Sequence, residues 1–204
     1  EPLYIQALEI RKLQLGVNHH DTASILNNLA ILYDDQGKYL EAEPLYIQAL
    51  EIYKQQLGVN HPDTASSLNN LASLYKDQGK YLEAEPLYIQ VLDIRKQQLG
   101  ENHPSTANTL NNLGEFYTDQ EKYNEAELLL TQALDIRKQQ LGNNHPSTAE
   151  TLNALGVLYS KQGKHSEAEN LLTQALEIAQ RVLGLEHPDT VKYRENLEKL
   201  RLHE

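Results

Sequence analysis

The sequence predicts an all-α fold: a right-handed superhelix of about ten antiparallel helices, stacked in pairs. Three observations predict it. First, residues recur every 42 positions along the 204-residue chain, with His19, His61, His103, His145 and His187 in one series and Gly16, Gly58, Gly100, Gly142 and Gly184 in another; a period of this length is the mark of a solenoid. Second, Leu, Ala, Glu and Gln dominate, Trp is absent and Phe occurs once, a helix-forming composition. Third, apolar residues fall at helical spacing inside each period, as Leu68, Leu71, Ala72 and Tyr75 do at i, i+3, i+4 and i+7.

The period sets the organisation. Residues 1–18 are the second helix of a truncated repeat, 19–60, 61–102, 103–144 and 145–186 are complete repeats, and 187–204 is a carboxyl-terminal capping helix. Segments 19–60 and 61–102 share 34 of 42 residues. In 61–102, Pro62 stands near the first helical position, where its missing N–H costs nothing, and Asp63 lies near the positive end of the helix dipole. The first helix runs to about Gln78, Gly79 ends it in a left-handed conformation, and a second helix runs from Tyr81 to Leu99, stopped by Gly100. Ala84, Tyr88, Val91, Leu92 and Arg95 carry the stripe of the second helix. One pair cannot bury both stripes, so neighbours must stack, leaving a concave and a convex face.

These residues carry a family resemblance. Ala72 and Ala84, small residues 12 apart among Leu71, Tyr75 and Tyr88, resemble the tetratricopeptide repeat (TPR) signature. The wider pattern, Leu68-Asn69-Asn70-Leu71-Ala72, Gln78-Gly79-Lys80-Tyr81, Glu83-Ala84-Glu85-Pro86-Leu87-Tyr88 and Leu99-Gly100 followed by His103-Pro104, is similar to the 42-residue variety of kinesin light chains and many bacterial proteins. The resemblance covers essentially the whole chain. It implies a TPR solenoid that binds a peptide or partner segment in its concave groove; it does not imply transport, because fold alone does not set function.

Three departures from the pattern stand out. Glu121 replaces the helix-ending glycine, which predicts either a residue with a Cβ at positive φ or a reshaped turn. Pro2, Pro44 and Pro86 lie one turn into the second helix, where Leu128 and Asn170 stand in later copies. In the last half repeat Arg194, Glu198 and Arg201 occupy the places of Leu68, Ala72 and Tyr75, so charge covers the face that would receive another helix while Leu197 and Leu200 pack backward: a solvating cap. Residues 1–15 have no first helix beside them. A fragment of a longer, bacterial protein is therefore expected, with possible self-association through that open amino-terminal face.

The formal net charge of −11 opposes binding to nucleic acid, which needs clustered Lys and Arg, and to an anionic membrane. No stretch approaches the roughly 18 apolar residues that would span one. Zero cysteines exclude disulfides and thiolate chemistry but assign no compartment; the cytosol is the default. Among the proteins it could hold, neutral or basic segments are favoured.

At about 100° per residue, the arc opposite Leu68, Leu71, Ala72 and Tyr75 carries Ser66, Asn70, Ser73 and Asp77, flanked by Asn69 and Lys76. The corresponding sets are Ser24, Asn27, Asn28, Ile31, Asp34 and Asp35; Asn108, Asn111, Asn112, Glu115, Thr118 and Asp119; and Glu150, Asn153, Ala154, Val157, Ser160 and Lys161. The candidate peptide-binding residues are therefore Asn27, Asn28, Asn69, Asn70, Asn111, Asn112, Asn153, Asp35, Ser73, Lys76, Asp77, Glu115 and Asp119. Asn27, Asn69, Asn111 and Asn153 form a row, one per repeat, able to hydrogen-bond an extended peptide backbone or, equally, to tie neighbouring helices together.

The five periodic histidines do not make a metal site together, since successive repeats lie on the order of 10 Å apart and zinc needs ligands at about 2 Å. A structural role at the turn is expected. Adjacent His19 and His20 should diverge. Asp34, Asp35, Asp77 and Asp119 are expected on an open, solvated surface, unlike a catalytic carboxylate pair, and no phosphate loop, serine elbow or metal helix motif occurs. The expectation is a protein without catalytic residues, metal or cofactor.

Overall fold

The computed structural model describes residues 1–202. Ten α-helices run through them: α1 (Pro2–Leu15), α2 (His20–Asp35), α3 (Tyr39–Leu57), α4 (Pro62–Asp77), α5 (Tyr81–Leu99), α6 (Pro104–Asp119), α7 (Tyr123–Leu141), α8 (Pro146–Lys161), α9 (His165–Val182) and α10 (Pro188–Leu202). The last two residues of the expected 187–204 cap lie outside the described ones. Among the described residues no helix is long and apolar enough to cross a membrane.

The chain forms two compact units, Glu1–Gln98 and Leu99–Glu204. In the first, α2 packs on α1, α3 and α4, and α3 packs on α4. In the second, α7 lies against α6 and α8, α9 against α8 and α10, and α8 touches both α6 and α10. First helices thus lie side by side within each unit, as an all-α solenoid requires. Their shared cores include Ala30, Leu68, Leu71 and Val91 in the first unit and Ala126, Leu152, Leu155 and Ala175 in the second.

The periodic histidines cap helices. Nδ1 of His19, His61, His103, His145 and His187 accepts the backbone N–H two residues on, at 3.1–3.2 Å, which satisfies a donor that the first turn leaves unpaired. The hydroxyls of Thr22, Thr64, Thr106 and Thr148 donate to the carbonyls of Gly16, Gly58, Gly100 and Gly142 at 2.8–2.9 Å. Among the described residues, four of the five connections are therefore pinned twice, and the one before α10 by its histidine alone.

At the other end of the first helices, Gly37, Gly79 and Gly163 take φ of 69°, 72° and 76°, and Glu121 takes the same place at φ 61°. The backbone N–H of Lys122 still reaches the Tyr117 carbonyl at 2.9 Å, as Lys80 reaches Tyr75 at 2.8 Å, so the turn keeps its shape and the side chain bears the strain. Glu121→Gly is expected to raise stability by about 0.5–1 kcal/mol, read as a higher urea midpoint with unchanged slope.

A periodic clasp joins successive repeats. Glu43 on α3 accepts from Gln78 at 3.3 Å and from Lys80 at 2.8 Å, while Lys80 lies 5.1 Å from the centre of the Tyr75 ring. Tyr33 and Lys38 meet Glu1 in the same way, the hydroxyl at 3.2 Å and the ammonium at 3.8 Å. In the second unit Glu127 accepts from Tyr159 at 2.8 Å and pairs with Lys164 at 3.5 Å. At α10 the tyrosine is Arg201, which donates to Glu169 at 2.7 Å.

The remainder of α10 packs backward on α9. Leu197 and Leu200 are buried against Ala168 and Leu172, and Arg194 donates to the Leu185 carbonyl at 3.0 Å. Pro44 and Pro86 lie inside α3 and α5, whereas Pro2 starts α1. On α1, Leu3 is 80% and Leu13 86% exposed.

Candidate functional site

First helices lie between second helices on one side and solvent on the other, so their outer positions form the candidate face. In the first unit Asn28, Asp35 and Asp77 are exposed, and Asn27, Asn69, Asn70, Ser73 and Lys76 are half-buried. In the second unit Asp119 is exposed, and Asn112 and Glu115 are half-buried.

Two members of the asparagine row are turned inward. Asn111 is 0% and Asn153 5% exposed, and Thr118 and Ala154 are buried as well. The helical wheel placed all four on the open arc. It took the core to lie on one side only, but α8 packs sideways on α6 and α10, and that lateral contact narrows the accessible arc.

The row also pairs with itself. Asn70 Nδ2 donates to Asn27 Oδ1 at 3.3 Å, and Asn196 Nδ2 donates to Asn153 Oδ1 at 2.9 Å. Each bond joins the first asparagine of one repeat to the second position of the next. At Asn111 the position that would complete such a bond is Ala154, which has no amide. Asn111 instead donates to Glu115 at 2.8 Å and accepts from Arg137 at 3.4 Å.

Beneath the face, the two units have different floors. Tyr46 and Tyr88, both 1% exposed, pass from α3 and α5 to the first helices, where Tyr46 donates to Asp34 Oδ2 at 3.4 Å and the Tyr88 hydroxyl lies 2.9 Å from Ser73 Oγ. Leu130 and Leu172 hold these places in the second unit. There an apolar notch of about 140 Å³ opens between α8, α9 and α10, lined by Val157, Leu172 and Leu200 and bordered by Lys161, Asn196 and Lys199.

Charge differs as well. Asp34 is half-buried, not fully solvated as its sequence position suggested. Burial, then the nearby Asp77 and Asp35 charges, push its carboxyl up to about 6 against the opposing hydrogen bond from Tyr46. Three carboxylates here lie close enough to act on one another. In the second unit Asp119 is paired with Lys161 at 3.1 Å, so its charge is already met.

Sequence reasoning missed the tyrosine hydroxyls, the clasp and Arg137. Arg137 is 1% exposed and donates to the Ser147 carbonyl and Thr151 Oγ1 at 2.6 Å and to Asn108 Oδ1 at 2.8 Å. A signal existed for each: the tyrosines and clasp residues recur at the period, and Arg95 and Arg137 interrupt otherwise apolar stripes.

A family model described as tetratricopeptide repeat matches residues 1–55, 35–96, 63–139 and 110–181. Among solved structures, BtubC (BKLC) from P. vanneervenii is 25% identical with a TM-score of 0.77, over 98% of this chain and 80% of that one. A putative kinesin light chain of Podosopora anserina with nearly identical TPR-like repeats is 29% identical with a TM-score of 0.71, over 90% of this chain and 87% of that one; a variant of it gives 0.72 at the same identity and coverage. No curated protein sequence matches.

Proposed function

Because the chain belongs to the tetratricopeptide repeat family, whose fold is in general a protein-interaction scaffold, we propose that its first helices hold a peptide or partner segment, and that the first unit prefers a basic one. The observation that carries this is the group Asp34, Asp35 and Asp77, where one carboxyl is pushed up to about 6 by burial and by its like-charged neighbours. A Lys or Arg side chain laid against that group relieves the repulsion. Asn28, Asn69, Ser73 and Lys76 flank it and supply donors and acceptors for a peptide backbone. The second unit has polar groups of its own in Asn112 and Glu115.

Titrating labelled basic and acidic peptide pools and following anisotropy tests this reading. Basic peptides should bind more tightly, and salt should weaken them. Bound cations favour ionised Asp34, so affinity should also fall as pH drops through 6, where the free carboxyl takes up its proton. Asp35→Asn with Asp77→Asn should weaken binding at least tenfold without lowering the melting temperature. A preference for acidic peptides would overturn the proposal.

The Asn27–Asn70 and Asn153–Asn196 bonds favour a second reading for the asparagine row, in which the array is a spacer or self-assembly element of a larger signalling protein. Under it, Asn69→Ala loses stability, whereas loss of ligand binding at an unchanged melting temperature marks a binding residue; Asn111 is buried and serves neither test. Self-association through α1 belongs to the same reading, and Leu3, Ile10 and Leu13 are the exposed residues such a contact would cover.

A further inference from the structure

Four of the five histidine caps are followed by proline, at Pro62, Pro104, Pro146 and Pro188; at the start of α2 that position is His20. The two imidazoles do not diverge as adjacent residues were expected to. Their ring centres lie 4.4 Å apart at 30°, and His20 Nδ1 is 3.2 Å from Asp21 Oδ1. One ligand atom each from His19, His20 and Asp21 falls within 4.8 Å of the other two. Ligands bound at about 2.0–2.1 Å in a tetrahedral shell stand about 3.3 Å apart, so shifts on the order of 1 Å would close the set.

We propose that His19, His20 and Asp21 form a site for a divalent transition-metal ion of the zinc, copper or nickel class. Two imidazoles and one carboxylate are the borderline donors these ions take, whereas calcium and magnesium require oxygen ligands. Three protein ligands leave a coordination position for water or for a side chain of a partner. His20 is exposed, and His19 and Asp21 are half-buried, so an ion reaches the set directly from solvent.

Two features oppose the ion. Arg11 lies 3.9 Å from Asp21 Oδ2, and the start of a helix carries partial positive charge. The Arg11 side chain is 45% exposed and can swing away. His19 Nδ1 accepts from the Asp21 N–H at 3.2 Å, so ligation through that nitrogen exchanges a cap hydrogen bond for a metal bond.

The other repeats supply the control. Calorimetric titration of the tag-free chain with zinc chloride should show one ion bound per chain. His20→Pro installs the residue the other four repeats carry and should weaken zinc at least tenfold with unchanged helix content. Asp21→Ser, which copies Ser105 and Ser147, should do the same, and His187→Ala should leave affinity intact. Nickel should broaden the His19 and His20 ring signals in NMR spectra of the unaltered chain before those of His61 or His187. Absence of binding, full affinity in His20→Pro, or uniform broadening of all histidines would overturn the site.

Discussion

Arg137→Ala is expected to lower the stability of the second unit by about 3 kcal/mol, a fall in melting temperature on the order of 10 °C. The guanidinium leaves α7 and lies between α6 and α8. It holds Asn108 and Asn111 on one and the Ser147 carbonyl and Thr151 on the other, with Glu150 at 3.1 Å. Removing it leaves a cavity and several polar atoms that lose their donor together, and those penalties add. Glu150, whose carboxyl burial pushes up and Arg137 pulls down, loses its partner charge as well. Arg137→Met should cost less, because it refills the space and removes a buried charge that itself cost desolvation. Hydrogen exchange would place the loosening at α6 and α8 and leave α2 and α4 unchanged; an unaltered melt would sink the assignment.

Gly156→Ala should destabilise the chain by about 1–2 kcal/mol, although alanine is the better helix former by about 1 kcal/mol. A Cβ at Gly156 would stand 2.7 Å from Leu172 Cγ, and one at Gly114 2.6 Å from Leu130 Cγ. These contacts meet the branch point of the leucine as well as its Cδ2 methyl, at 2.8 Å in both pairs, so a turn of the methyl alone does not relieve them. In the first unit the equivalent pairs are Ala30 with Tyr46 and Ala72 with Tyr88. Tyrosine carries its first branch in a flat ring and so leaves room for a methyl. Gly156→Ala with Leu172→Tyr should therefore regain most of the loss, since the new ring would fill the notch and its hydroxyl would have Ser160 where Tyr46 has Asp34. Urea melts of the two single variants and the double give the coupling directly. Additive losses would mean that the paired exchange has no steric basis.

Much of the fold was legible in the residues. The 42-residue period marked the helix pairs, the helix-ending glycines and Glu121 marked the turns, and Leu197 with Leu200 marked the side of α10 that packs backward. Each of these is a local consequence of a residue's own conformational preference or hydropathy. The candidate face was legible only in part. Asn28, Asp35 and Asp77 could be placed by a helical wheel because they lie on the exposed side of their helices. Asn111 and Asn153 could not, because their burial depends on the helix lying alongside.

By itself the sequence determined where helices begin and end, which of their sides is apolar and that repeats must stack, because propensity, capping and periodicity act over a few residues. Only the tertiary structure decided which polar side chains stay open. Arg137 is buried because Asn108, Asn111, Ser147 and Thr151 converge on it from two other helices. His19 and His20 meet Asp21 because a cap fixes one ring and stacking holds the other. The Asp34 carboxyl is pushed up to about 6 by burial first and then by Asp77, 43 residues away. For Arg137 and Asp34 through-space proximity to residues remote in the chain decides the outcome, and sequence distance carries no trace of it.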